Sequence, residues 1–207
     1  MDFNTEQEKF WFGEFGNEYV DRNRNPKLIA NRIAVFSKIL NRTEGISSIL
    51  EFGANVGQNL VSLRVLLPEC DFGAIEINTK AIEILKKDTT AKIFKGSIFD
   101  FSAEDLGKYD LTFTSGVLIH INPEKLPDIY SKLYHCSKKY IMVKEYYNPT
   151  PTEVTYRGHS GKLFKRDFAG EIWEMFPNLE LLDYGFQYHK DNNFPMDDST
   201  WFLFKKK

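Results

Sequence analysis

Hydrophobic positions change their period along this chain, and the change sketches its architecture. In "PKLIANRIAVFSKIL", Ile29, Ile33, Phe36 and Leu40 recur at helical spacing, with Pro26 suited to the helix start. Short continuous apolar runs then alternate with helical patterns. "ISSILEF" reads as a strand and "QNLVSLRVLL" as a helix stopped at Pro68. "DFGAIEI" is a second strand, followed by Asn78 as N-cap of the helix "TKAIEILKKD". "AKIFKG" and "YDLTFTSGVL" are the third and fourth strands. "INPEKLPDIYSKLYHC" is a helix beginning near Pro123 or Pro127, and "KKYIMVKEYY" a fifth strand. This alternation predicts a parallel, doubly wound α/β sheet. Runs such as "SILEF" and "YIMV" show no polar alternation, as expected of strands covered by helices on both faces.

The end of the chain departs from this rhythm. The polar stretch "NPTPTEVTYRGHSGK" leads to a helix capped by Asp167, with Phe168, Ile172 and Met175 on one face and Pro177 at its end. "LELLDYGFQYH" and "STWFLFKK" follow with no helix between them. The turn-rich "KDNNFPMDD" that joins them predicts an antiparallel pair. A parallel sheet finished by an antiparallel hairpin is unusual among nucleotide-binding folds.

Composition acts mainly by exclusion. A chain of 207 residues fits one domain, 1–207, and 42% hydrophobic with 27% charged residues is the profile of an ordinary globular protein. A net charge of −2 gives no basic field to recommend a nucleic-acid partner, and Lys205, Lys206 and Lys207 read as a solvated tail. "MDFNTEQEKFWFGEF" is acidic and polar where a signal peptide would be basic and then apolar, and no apolar run is long enough for a membrane span. Cys70 and Cys136 have no metal-like spacing, so the expectation is two reduced structural thiols in a cytoplasmic protein without a metal.

Candidate chemistry starts at "SILEFGANVGQN". A GxGxxG dinucleotide loop needs glycine at the third and sixth positions from Gly53, where this chain has Asn55 and Gln58; no Gly-Lys-Ser/Thr follows, so the P-loop fails too. What remains is Glu51, Gly53, Asn55 and Gly57 at alternate positions, with Glu76 ending the next strand. A loop of small residues lets a ligand approach the backbone, and the helix behind it offers free N–H groups. Glu76 lies where an acid would accept hydrogen bonds from two ribose hydroxyls.

In these residues the chain resembles the class I S-adenosylmethionine-dependent methyltransferases, which carry E/D-x-G-x-G-x-G after the first strand, an acid ending the second and a C-terminal antiparallel hairpin. The resemblance spans about residues 26 to 207 and implies a Rossmann-like methyltransferase fold with a seven-stranded, mostly parallel sheet. It departs at Asn55, where the middle glycine is usual, and at "KGSIFD", where Ser97 replaces a common aspartate. The resemblance implies S-adenosylmethionine as cofactor. Glu51 would lie near its amino group and Gly53, Ala54, Asn55 and Gly57 against its methionine and ribose portions. Glu76 and Ile77 would take the ribose, with Ser97 and the backbone of Ile98 at the adenine and Asp100 a further contributor. Ser115, Gly116 and Val117, after the fourth strand, would complete the cofactor site.

The fourth strand runs into "TSGVLIHIN", without the Asn/Asp-Pro-Pro-aromatic motif of relatives that methylate exocyclic amines. It looks like the small-molecule branch, whose nucleophile is a hydroxyl, carboxylate or alkylamine. His120 is the candidate catalytic base, with a pKa near working pH; the alternative is a histidine that braces the loop. The segment 146–166 is a candidate substrate loop. Tyr146, Tyr156, Arg157 and His159 within it suit an anionic small substrate, arginine offering a planar fork for carboxylate or phosphate. His189 reads as structural or exposed.

Residues 1–45 would form a helical cap or lid. Phe10, Trp11, Phe12, Phe15 and Tyr19 crowd into it; Trp11 could meet substrate, and Tyr19, Arg22 and Asn23 the cofactor carboxylate or substrate. This stretch, with "EFGANVGQNL" and the terminal "DDSTWFLFKK", looks like the pseudaminic acid biosynthesis-associated methylases. That resemblance implies a bacterial enzyme methylating an acidic sugar, or its precursor, of surface glycans. Other readings stay open: a methyltransferase for another acid or amine, a cofactor-binding partner without catalysis, or a nicotinamide oxidoreductase. The oligomeric state is not legible.

Overall fold

The computed structural model describes residues 3–22 and 27–207; Asn23 and Pro26 lie outside the described residues. Two short helices come first, α1 (Glu6–Phe12) and α2 (Glu14–Arg22), then α3 (Lys27–Leu40). The alternating unit follows as β1 (Ser48–Phe52), α4 (Gln58–Leu66), β2 (Asp71–Glu76), α5 (Thr79–Asp88), β3 (Lys92–Lys95), α6 (Ala103–Leu106), β4 (Tyr109–Ser115), α7 (Leu126–Cys136) and β5 (Ser137–Glu145). After it come β6 (Thr152–Glu153), β7 (Phe164–Lys165), α8 (Phe168–Met175), β8 (Leu179–Gln187) and β9 (Ser199–Lys206).

Seven strands form one sheet in the order β3-β2-β1-β4-β5-β9-β8. The first five are mutually parallel; β9 inserts antiparallel beside β5 and carries β8 antiparallel on its outer edge. The chain reverses direction across the sheet between β1 and β4, the switch point beyond which ligands bind in such folds. Apolar side chains fill both faces. Leu50, Phe52, Ile141 and Val143 pack under α7 and α8; Ile49, Phe113, Met142 and Leu203 pack under α3 and α4.

Several expectations shift. The buried stripe of α3 is Asn31, Val35, Phe36 and Ile39 rather than Ile29, Ile33, Phe36 and Leu40. Asn31 is admitted because its amide donates to Pro195 O at 2.6 Å. Met175 is 43% exposed, since Phe168, Ala169 and Ile172 are the residues of α8 that reach the core. β4 stops at Ser115, where Gly116 turns left-handed, and a single 3₁₀ turn covers Leu118–His120. Lys205 and Lys206 belong to β9 rather than a tail, and the Lys206 ammonium donates to Tyr134 O and Ser137 O. The segment 146–166 is not simply a loop, because β6 and β7 pair within it. Cys70 and Cys136 are buried free thiols, and no helix among the described residues is long and apolar enough to cross a membrane.

Gly57 has a packing duty that its place in the glycine loop concealed. Its φ is 79°, and a Cβ there would lie 2.4 Å from Leu85 Cδ1 and 3.0 Å from Thr89 Cγ2, both at the end of α5. Gly57→Ala is therefore expected to destabilise the fold by ~1–3 kcal/mol through left-handed strain and overpacking. The urea midpoint measures this, and an unchanged midpoint would contradict it.

Candidate active site

The C-terminal end of β2 organises the site. Glu76 is buried, and each carboxylate oxygen takes a backbone N–H: Oε2 from Asn55 at 2.6 Å and Oε1 from Asn78 at 2.7 Å. A carboxylate accepts about four hydrogen bonds, so lone pairs remain for a ligand. Burial raises its pKa, while the bonds from the Asn78 and Asn55 amides oppose that rise. Glu76 is thus a buried group that holds the loop.

Asn55 sits at φ 48°, a conformation that asparagine tolerates far better than most residues, which explains why it can stand in for the usual glycine. Its Oδ1 accepts from Val56 N at 2.7 Å and fixes the turn. Glu51, at the end of β1, is 1% exposed. Its Oε1 accepts from Asn59 Nδ2 at 2.6 Å, while Oε2 is buried with no hydrogen-bond partner. Burial pushes its pKa up to about 8.

Ser97, after β3, is engaged at both ends: its Oγ accepts from Phe99 N and its N–H donates to Asp100 Oδ2. Asp100 is thereby used as a cap. Beyond β4, the Glu145 carboxylate on β5 accepts from Val117 N at 3.1 Å and Ile119 N at 3.4 Å, clamping the turn that carries His120. Burial raises its pKa to about 7. His120 Nδ1 lies 2.6 Å from Lys162 O, a carbonyl that can only accept, so Nδ1 carries the proton and Nε2 keeps its lone pair. Burial lowers the His120 pKa to about 4, well below the working pH expected from the sequence, leaving the ring neutral. One ring nitrogen thus meets the 152–165 insert at Lys162 O, and the other is unprotonated.

The N-terminal helices close the top. Asn78 donates through Nδ2 to Trp11 O at 3.1 Å and Asn17 Oδ1 at 3.0 Å, while its Oδ1 caps α5. At Gly16 a Cβ would lie 1.8 Å from Trp11 O, so the tight α1–α2 junction excludes any side chain. Gln7 Nε2 donates to Gly161 O at 2.8 Å, and Lys162 pairs with Glu6 at 3.3 Å, tying α1 to the 152–165 insert. Rings complete the cover: Trp11 lies 4.5 Å from His120, and His120 5.0 Å from Tyr156.

These elements enclose a cavity of about 140 Å³, room for roughly ten water-sized spheres and hence for a ligand rather than one ordered water. Of the residues singled out in the sequence, Trp11, Tyr19, Gly53, Asn55, Glu76, Ile77, Ser97, Ile98, Ser115, Gly116, Val117 and His120 line it. Glu51, Ala54 and Gly57 are outside the lining. Arg22 is exposed and pairs with Glu18 at 3.6 Å. Tyr146 donates to Asp197, Tyr156 stands behind His120, and Arg157 and His159 are exposed on the insert. His189 is exposed beside Asp198. The lining also includes Gln7, Gly16, Asn78 and Phe99, which sequence reasoning missed. Asn78 had a visible signal, but only as a helix cap. Among the described residues no cluster of His, Cys, Asp and Glu could hold a metal.

No protein-family model and no curated protein matches the chain. Solved structures do match. The Burkholderia thailandensis 1,6-didemethyltoxoflavin-N1-methyltransferase superposes with a TM-score of 0.72 at 9% identity, over 100% of this chain and 92% of that one. The fold is the Rossmann-like methyltransferase fold. The same fold relates the chain to Synechocystis PCC 6803 magnesium protoporphyrin IX methyltransferase, at TM-score 0.67 and 11% identity over 100% of both chains. A plantazolicin methyltransferase gives 0.65 at 14% identity, over 97% of this chain and 95% of that one.

The buried acids of this fold give a test. Glu51, with its pKa near 8, keeps its proton when folded but loses it near 4.5 when unfolded. Its contribution is therefore greatest at low pH and declines as pH rises through that window. His120, depressed to about 4, contributes with the opposite sign between about 4 and 6.5. The stability of Glu51→Gln relative to wild type should thus improve by ~1–3 kcal/mol from about pH 5 to pH 8, read from urea unfolding without added nucleotide. A difference independent of pH would show that Glu51 is ionised throughout.

Proposed function

We propose that the chain is an S-adenosylmethionine-dependent methyltransferase of the cytoplasm, acting on a small acidic sugar or sugar precursor in bacterial surface-glycan biosynthesis. The observation that carries the cofactor reading is Glu76, a buried carboxylate on the cavity wall beside the Gly53–Asn55 turn. Solved proteins of the same fold support it, having been crystallised with the methyl donor or its demethylated product. The buried, unpartnered Trp11 Nε1 on the cavity wall is a donor of the kind that a ligand would satisfy. The acidic-sugar reading rests on the resemblance of the N-terminal segment, the loop and the terminal hairpin to the pseudaminic acid-associated methylases.

Glu76 would accept the ribose hydroxyls, Ser97 and Ile98 would border the adenine, and the Gly53–Asn55 backbone would face the methionine portion. When bound, the cofactor supplies an electrophilic methyl group for direct displacement. The chain's own contribution is alignment, worth ~7–11 kcal/mol in well-oriented systems. α1, Trp11 and Tyr156 exclude water, and His120 Nε2 takes a proton from the acceptor hydroxyl. Lys162 O holds the tautomer that leaves this nitrogen free.

A thermal-shift comparison of S-adenosylhomocysteine with NAD tests the cofactor. At 100 times its dissociation constant the former should stabilise by about 2.7 kcal/mol, and a shift with NAD alone would overturn the reading. Labelled methyl transfer to nucleotide-activated acidic sugars, against neutral sugars and alkylamines, tests the acceptor class. With an acceptor in hand, His120→Asn keeps a donor for Lys162 O but deletes Nε2. Its turnover should fall ~10²–10⁴-fold with S-adenosylhomocysteine affinity unchanged; full turnover would leave His120 as a brace alone.

A further inference from the structure

We propose that Lys144 and Arg32 form the seat for an anionic group, carboxylate or phosphate, of the methyl acceptor. The proposal rests on the methyltransferase reading above and names the side chains that would select an acidic acceptor within it. Lys144 is the penultimate residue of β5, 7% exposed, at the carboxyl end of the sheet where ligands of this fold bind. Its ammonium has no hydrogen-bond or ion-pair partner among the described residues. A buried cation without a counter-charge is costly, and native structures rarely keep one without use.

The neighbours sharpen the point. Lys144 alternates along β5 with Tyr140 and Met142, so it shares the α3–α4 face of the sheet. A second cation, Arg32 of α3, acts electrostatically on it; Arg32 donates to Asn59 Oδ1 at 2.8 Å and Leu28 O at 3.2 Å, and no carboxylate among the described residues is bound to it. Burial first, and Arg32 second, lower the Lys144 pKa to about 8. The acids in range are engaged elsewhere. Glu145 clamps Val117 and Ile119 from the opposite face, Glu51 is held by Asn59, and exposed Asp197 accepts from Tyr146. Lys144, buried, and Arg32, half-buried, therefore have no carboxylate in hydrogen-bond or ion-pair contact among the described residues.

The seat adjoins the cavity. Ser115, on its wall, pairs in register with Lys144, and Gly116 N donates to Lys144 O at 2.9 Å. Tyr19, also on the wall, acts electrostatically on Arg32. An anion here could belong to the acceptor or be the cofactor's own methionine carboxylate. We commit to the acceptor because β5 lies two strands from β1, about 10 Å away, whereas the cofactor loop follows β1 directly. Arg157 and His159, which the sequence suggested for this duty, are exposed on the insert.

The test uses the full chain and inorganic phosphate as probe, titrated in a thermal-shift assay with and without saturating S-adenosylhomocysteine. Wild type should be stabilised at millimolar phosphate. Lys144→Met should weaken that response by about tenfold or more, Lys144→Arg should restore it, and S-adenosylhomocysteine affinity should stay within about threefold across the three. Lys144→Met replaces a buried charge with a side chain of similar volume and is expected to fold, with Arg32→Met as an independent second variant. Equal phosphate responses in wild type and both Met variants, or no response in wild type, would overturn the proposal. A large loss of S-adenosylhomocysteine affinity in Lys144→Met would overturn it in favour of the cofactor's carboxylate. Absence of S-adenosylhomocysteine binding by wild type would instead strike the methyltransferase reading, while the phosphate arm without it still decides Lys144.

Discussion

The Glu76 carboxylate is the constraint on which the rest of the site depends. Its two oxygens fix the amides of Asn55 and Asn78, on the two segments leaving the carboxyl ends of neighbouring parallel strands. One of those segments is the loop that faces the cavity. The other begins α5 and, through the Asn78 side chain, holds the α1–α2 junction overhead. Loop, helix and cover thus take their positions from one buried acid. Removing a buried acceptor that serves two backbone donors leaves both unsatisfied, which costs far more than the net worth of the bonds themselves.

A second buried acid repeats the device on the other side of the switch point. Glu145 clamps the turn after β4 as Glu76 clamps the turn after β1, so both lips of the cavity are set by carboxylates from a neighbouring strand. The sheet supplies rigidity, and the irregular turns inherit it through charge-assisted bonds to backbone N–H groups. His120 gains its orientation this way, from Glu145 beneath and Lys162 O beside it. Such indirect bracing is how a loop can present a ring nitrogen with the precision expected of a strand.

The strand–helix alternation was legible because continuous apolar runs mark strands covered on both faces, and the hairpin because two β-rich runs flank a turn-rich connector. The Glu51-to-Gly57 loop and Glu76 were legible because spacing survives translation into structure when it lies within one β-turn-α unit. The packing duty of Gly57 was hidden for a physical reason: a glycine demanded by packing against Leu85 looks the same in sequence as one demanded by a ligand. Arg157 and His159 have suitable chemistry, but sequence gives no measure of exposure. Lys144 was hidden by the opposite effect, a lysine inside an apolar strand run giving no sign of whether its ammonium reaches a partner. Arg32 lay in a helix read only for its apolar stripe, which itself came out rotated.

The bond from Gln7 to Gly161 spans 154 positions of the chain, and the neighbouring ion pair from Glu6 to Lys162 is as distant. Contacts of that separation close a very large loop, and their entropy must be met before they return any stabilisation. α1 is synthesised before every other wall of the cavity, yet its anchor at Gly161 is made after all of them. The sheet and its two braced turns can assemble while the aromatic cover is still searching. The earliest wall of the site to be made is therefore the last to be fixed, and the cavity acquires its cover only after the insert between β6 and β7 has folded.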